Sequence, residues 1–258
     1  RTLFLINGNV QNDLWDHVPH MQRQIPLSNV KQIEVLYGPV SVIYGPNAFL
    51  GIVNIITEDG NALADGQSRS QFSLSYGSFD TKDLDMGIQG KKGELTYALS
   101  MKLHHSEGPQ LNDFNSEWGF VTDERLSNRQ TWGPLLSLTT EGRTIGDYNQ
   151  HGNNKGLIAE IGFKNLKANY LSWTLDEGYG HTYAADKGQP AGSWKKSGEQ
   201  LGISHEHKLD ETVSIKTKLI NRKSKIWGTW IEATPIPDMT EYSYISISDW
   251  NTENEATL

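Results

Sequence analysis

The sequence predicts a membrane all-β fold: part of a large antiparallel β-barrel, preceded by a small, separate unit punctuated by glycine and proline. Three observations carry this. From Arg69 onward apolar and polar residues alternate with period two over stretches of about nine to eleven residues, the length with which a tilted strand crosses a bilayer. The connections alternate between tight turns and long loops, the asymmetry of outer-membrane barrels. No run approaches the roughly 20 consecutive apolar residues of a membrane helix, so any crossing falls to strands, whose alternating apolar and polar residues cancel in a hydropathy average.

Residues 1–57 come first. "TLFLING", "IPLSNVKQIEVL", "SVIYG" and "GIVNIIT" are short apolar runs of the length of buried strands, with one helical turn expected around Pro26 to Val30. Gly38-Pro39 forces a turn between two strands, since proline donates nothing to a central ladder. Gly45 and Gly51 suit tight reversals where a side chain would clash. "EDGNALADGQS", residues 58–68, reads as a connection. The resulting division is a first unit over 1–60, a linker over 61–68 and barrel strands over 69–258.

Along the barrel, Phe72, Leu74 and Tyr76 share one face against Gln71, Ser73 and Ser75. Leu95, Tyr97, Leu99, Met101 and Leu103 alternate with Thr96, Ser100, Lys102 and His104, and Leu157, Ala159, Ile161 and Phe163 repeat the theme. Val213, Ile215, Thr217 and Leu219 follow; residues 166–175 and 197–208 alternate weakly, and at 242–250 the phase slips. "GKKGE", "KN" and "LDE" are tight turns, whereas 105–153, 176–196 and 226–241 are long connections. Some eight strands result. An eight-stranded barrel fills with its own side chains and leaves no room for the preceding unit, so a longer polypeptide with a wider barrel is expected. The start at Arg1, with no initiating Met and no leader pattern, points the same way.

Composition removes other classes. The 258 residues carry a net charge of −8 with no basic run, so no nucleic-acid footprint exists. Cysteine is absent, which excludes disulfides, thiol nucleophiles and Cys-based zinc sites. No nucleophile–base constellation appears, and catalysis is not expected.

"IPLSNVKQIEVLYGPVSVIYGPNAFLGIVNIIT" then resembles the plug-domain signature of TonB-dependent outer-membrane receptors, with Glu34, Gly38, Pro39, Tyr44, Gly45, Gly51 and Asn54 among the residues in register. "LFLING" resembles the strand upstream of it, and "SLSYGSFDTKDLDMGIQGKKGELTYALSMKLHHSEG" resembles the family's first barrel strands. The resemblance implies a mixed α/β plug inside an outer-membrane barrel of about 22 strands. It implies a Gram-negative outer-membrane receptor that imports a scarce ligand, a ferric siderophore foremost, with haem and cobalamin as alternatives. Its partners would be a TonB-type inner-membrane energy-coupling complex that touches the receptor outside this chain, outer-membrane lipid and lipopolysaccharide, and the small metal-chelate ligand itself. The seven signature residues are read as structural, with no intrinsic cofactor or metal. Two positions depart from the family pattern: Gln32 and Tyr37 stand where arginines are usual, and Tyr37 cannot form the bidentate carboxylate pair that latches plug to barrel.

By the same resemblance the loop "NVQNDLWDHVPHMQRQ" lies at the plug apex, which makes Trp15, Asp16, His17 and His20 candidate ligand contacts. Trp15 offers stacking area with a polar handle, and the histidines lie near the haem-ligand position. His205 and His207 share a strand face with Leu201 and Ile203, which suits headgroup level better than a metal. Aromatics of the long loops, such as Trp118, Trp132 and Trp194, are read as girdle or vestibule residues, and loop acids such as Asp113 and Asp123 as solvated. A reading of another class, a soluble tryptophan-rich carbohydrate-binding β-sandwich, draws on the eight tryptophans; the signature and the strand lengths count against it.

Overall fold

The computed structural model describes residues 2–45, 47–109, 139–140, 143–144, 151–178, 193–235 and 242–257. Two sheets organise them. The first, in the order β2-β1-β4-β3, comprises β1 (Thr2–Ile6), β2 (Asn9–Val10), β3 (Val30–Tyr37) and β4 (Gly51–Thr57). It is mixed: β1 runs parallel to β4, while β2 and β3 pair antiparallel to β1 and β4. A single 3-10 turn at Leu27–Asn29 leads into β3, within the span where the sequence suggests one.

One local expectation fails. "SVIYG" reads as strand because Val42 and Ile43 are β-branched, yet Ser41–Tyr44 forms one helical turn, α1. Only six residues separate Gly38 and Gly45, both at positive φ (107° and 89°). Within them Tyr44 N–H reaches Val40 O at 3.0 Å and Gly45 N–H reaches Ser41 O at 2.9 Å. The short span between two reversals overrides β propensity. Gly51 is different again: a Cβ there would lie 2.4 Å from the Leu36 carbonyl oxygen, so the β3–β4 pair closes only on glycine. At Gly45 nothing would clash, and the positive φ alone asks for glycine.

The second sheet is an antiparallel meander of eight strands: β5 (Ser68–Gly77), β6 (Thr81–Lys92), β7 (Leu95–Ser106), β10 (Gly152–Phe163), β11 (Leu166–Gly178), β12 (Ser193–Lys208), β13 (Ser214–Pro235) and β14 (Tyr242–Thr257). A separate pair of two-residue strands, β8 (Thr139–Thr140) and β9 (Arg143–Thr144), belongs to the connection between β7 and β10. The strands are longer than the alternation suggests: residues 226–235, read as loop, continue β13 in register with β14. A hairpin of that length carries the sheet beyond what a bilayer requires.

The sheet is apolar outside and polar inside. Phe72, Leu74, Tyr76, Leu99, Leu103 and Ile161 are exposed on one face, while Thr96, Ser100, His104, Asn154 and Gln200 are buried on the other. That inversion is what a lipid-facing barrel wall around a polar lumen requires. The weak alternation at 166–175 has a specific cause. Leu171, Trp173 and Leu175 of β11 turn inward and join Ile158 with Ile6 and Ile55 of the first sheet and Ile25 of the loop before the 3-10 turn in one apolar cluster. β11 therefore meets lipid on one face and a dry core on the other. Gly198 makes room for the Trp173 ring, from which a Cβ would be 2.5 Å.

Elsewhere the two sheets meet through polar contacts. Both Asp85 carboxylate oxygens accept backbone N–H groups of the 3-10 turn, from Leu27 at 2.8 Å and Ser28 at 3.2 Å. Gly156 of β10 lets the backbone come closer still: a Cβ there would be 1.8 Å from the Gln24 carbonyl oxygen. At the opposite end Lys167 bridges Asp59 (2.8 Å) and Glu160 (3.1 Å). Burial alone would raise the Asp59 carboxyl, but hydrogen bonds from Lys167 and Asn61 outweigh it and hold the group below its ordinary value. Among the described residues no helix is long and apolar enough to cross a membrane.

Candidate ligand-binding site at the long-loop end

The segment from Gln11 to Gln24 enters the barrel as a loop tied to itself. Asn12 accepts the Phe4 N–H (2.8 Å) and donates to the carbonyls of Thr2 (3.1 Å) and His17 (3.0 Å). Asp13 Oδ1 accepts the N–H groups of Trp15 (2.8 Å) and Asp16 (3.2 Å), and its other oxygen accepts the Ser224 hydroxyl of β13. Gln11 donates to Gln200 of β12 at 3.0 Å, and Arg222 of β13 donates to the Asn12 carbonyl. Short polar side chains that cap their own backbone make a rigid loop without secondary structure.

The four loop residues singled out from sequence divide into two pairs. Trp15 is 52% exposed and His17 is exposed, at a positive φ of 58°. His20 is only 7% exposed and already engaged: Nε2 lies 2.9 Å from Asp16 Oδ2 and Nδ1 lies 3.2 Å from Lys196 Nζ. Asp16 takes the Nε2–H, which leaves Nδ1 to accept from the ammonium, so the ring is neutral. Burial is the main reason its pKa falls below the usual 6.5, with Lys196 adding to the effect and Asp16 opposing it. Asp16 and His20 thus hold the loop, and His20 has no nitrogen left for a metal.

A cavity of about 830 Å³ opens at the end of the sheet from which the long connections spring. None of those four residues lines it; Gln22 and Arg23 of the same loop do, facing the upper parts of β6, β7, β10 and β11. Arg23 Nη1 donates to His104 Nε2 at 2.8 Å, and His104 Nδ1 donates to Asp83 at 3.0 Å, a tautomer fixed by the arginine, which has nothing to accept with. Lys102 pairs with Asp83 at 3.0 Å. Arg23, Lys102, His104 and Asp83 went unnoticed as site residues in the sequence. The legible signal was that Asp83, Lys102 and His104 occupy the inward phase of strands near their long-loop ends. Nothing in the sequence paired them with Arg23.

The signature residues lie elsewhere. Glu34 accepts from Gln32 (2.8 Å) and from Asn54 (3.0 Å), and Asn54 Oδ1 accepts the Gly8 N–H (3.1 Å), which stitches β3, β4 and the β1–β2 turn together. Gln32 thereby fills a plug-internal role at one of the two variant positions. Tyr37 is 86% exposed, and its hydroxyl meets no hydrogen-bond partner among the described residues, so it does not tie β3 to the eight strands in place of an arginine. Tyr44 lies in α1. The His205 and His207 rings stack at 6.3 Å on an exposed face, and no group of three or more metal-ligating side chains occurs among the described residues. Of the loop aromatics and acids, Trp118, Trp132, Asp113 and Asp123 fall outside the described residues, and for Trp194 only the backbone, in β12, is described.

Comparison with known proteins agrees with this architecture. Residues 1–52 match the TonB-dependent Receptor Plug Domain. The vitamin B12 transporter BtuB of Vibrio cholerae is 28% identical over 164 residues, covering 60% of this chain and 26% of the transporter. This chain thus spans about a quarter of the length of the curated relatives it matches. The siderophore receptor PiuA of Acinetobacter baumannii superposes with a TM-score of 0.53 at 14% identity, over 90% of this chain and 30% of PiuA. The ferric-catecholate import receptor Fiu of E. coli K12 superposes at 0.56 and 12% identity, over 98% and 34%. Residues 1–52 thus carry a TonB-dependent receptor plug domain, and the mixed sheet they belong to docks through its loop and 3-10 turn against an inside-out antiparallel wall, the fold shared with these outer-membrane receptors.

Proposed function

We propose that the receptor to which this chain belongs imports a ferric siderophore across the outer membrane, driven by a TonB-type complex of the inner membrane. The carrying observation is the 830 Å³ cavity between the plug loop and the barrel wall, open toward the long loops and edged by Arg23, Lys102 and His104. It is in the size range of small-molecule sites, and Arg23 and Lys102, set among Asp83, Asp85 and Glu177, supply the cationic donors for an anionic chelate. Trp15 and His17, exposed on the same loop, are read as outer ligand contacts, while Asp16 and His20 keep the loop rigid. The cavity binds rather than transforms: the acceptor nitrogen of His104 is filled by Arg23, so it is not free as a base. No intrinsic cofactor enters this reading.

The full-length receptor, titrated with a ferric siderophore and followed by tryptophan fluorescence, should show saturable binding weakened at least about tenfold by Arg23→Ala, the loss expected for a charge-assisted hydrogen bond. Uptake of labelled iron should stop when the proton gradient is collapsed. Saturable binding without energy-dependent uptake would defeat the transport reading.

A second reading is cobalamin, favoured by the similarity to the Vibrio cholerae transporter. Competition between the siderophore and cobalamin in the same titration separates the two. Haem is the weaker alternative because His20 is committed; a Soret shift abolished by His17→Ala would restore it.

A further inference from the structure

A second cavity, of about 270 Å³, lies at the other end of the lumen, between the first sheet and the wall near the tight turns. It is too small for a whole metal chelate but has room for one anionic group. Four lysines line it in a protein of net charge −8. Lys167 is neutralised locally by Asp59 and Glu160. Lys31, Lys216 and Lys218 form no ion pair among the described residues, so the lining sets four ammonium groups against two carboxylates and keeps a net positive charge. Lys216 and Lys218 are two apart on β13 and therefore on one face; across the pair Lys218 meets Ser204 and Lys216 meets Glu206, with which it forms no ion pair. Like charges side by side on one strand face repel and gain nothing for the fold.

A second, independent feature points to a ligand. Asn9 is 5% exposed, lines the same cavity, and its Oδ1 has no hydrogen-bond partner. A buried acceptor left unpaired costs the fold its desolvation with nothing in return. A protonated oxyanion such as hydrogen phosphate matches both features: its hydroxyl donates to Asn9 Oδ1 while its charged oxygens accept from lysine ammonium groups and the Ser204 hydroxyl.

We propose that this cavity is a binding site for a small oxyanion, either free or carried as an anionic group of the cargo on its way out of the barrel; the second source rests on the import reading above. The test uses the full-length receptor and inorganic phosphate. Calorimetric titration at low salt should show saturable binding in the wild type, weakened at least about tenfold in the double variant Lys216→Gln/Lys218→Gln, with Lys91→Gln/Lys92→Gln unchanged. No binding in the wild type, or equal binding in the double variant, overturns the site.

Uptake of an anionic and a neutral iron chelate by cells carrying the same variants then identifies the source. A selective fall for the anionic chelate supports a cargo-borne anion; unchanged uptake with lost phosphate binding supports a free one. Absence of uptake in wild-type cells would sink the import reading while leaving the phosphate titration to decide the site.

Discussion

His20 shows how one side chain can be tuned by its place in the loop. The neutral ring fits its surroundings, with Nε2–H donated to Asp16 and Nδ1 accepting from Lys196; protonation would set an N–H against an ammonium. The charged groups around it are Asp13, Asp16 and Lys196, and burial with Lys196 prevails, so the folded pKa lies below 6.5. The unfolded chain therefore binds this proton more readily, and the stabilisation is full above about pH 6.5 and lost as pH falls through the folded value. Hydrogen exchange over residues 11–24, corrected for intrinsic chemistry, should speed up between pH 7 and pH 5 in the wild type. In His20→Gln that acceleration should be much reduced. An identical pH response in the variant would show that another group controls the loop.

At the scale of elements, β7 carries the clearest message. Leu95, Leu99 and Leu103 face outward and Thr96, Ser100 and His104 inward, the phase that strict alternation in the sequence fixes. Leu99 sits near the middle of this twelve-residue strand. Leu99→Lys should destabilise the barrel in a bilayer by about 2–4 kcal/mol, the cost of a cation at the lipid midplane, while Leu99→Phe should be nearly neutral. Denaturant unfolding in lipid vesicles measures both, and equal stability of Leu99→Lys would remove β7 from the lipid-facing wall. The limits of legibility are equally local. β11 is blurred in sequence because Leu171, Trp173 and Leu175 pack on the plug, a contact that no strand pattern encodes. α1 is misread because propensity is a property of residues and its conformation is set by the flanking reversals. The cavity residues escaped because Arg23 and His104 are 81 positions apart and meet only once plug and barrel have docked.

For the whole molecule the question is how firmly the plug is held against the wall. Its contacts with the wall are one apolar cluster and a set of polar bridges at both ends, from Arg23–His104 to Asp59–Lys167. Buried polar atoms without partners, Ser28 Oγ and Gln89 Oε1 as well as Asn9 Oδ1, mark the same interface. Such a boundary is less tightly matched than a core, in which buried polar groups are paired. Close backbone approach supplies the fit, above all where Gly156 faces the Gln24 carbonyl. Gly156→Ala should therefore act on docking and not on the barrel, because the antiparallel pairing of β10 with β7 and β11 uses backbone groups that the substitution leaves in place. Overpacking at a fixed contact costs about 1–3 kcal/mol. Amides of residues 20–30 should then exchange faster in the variant by about 5- to 150-fold, while those of β7, β10 and β11 stay protected. Uniform loss of protection across plug and wall would mean that the two fold as one unit, and that the plug is not released separately.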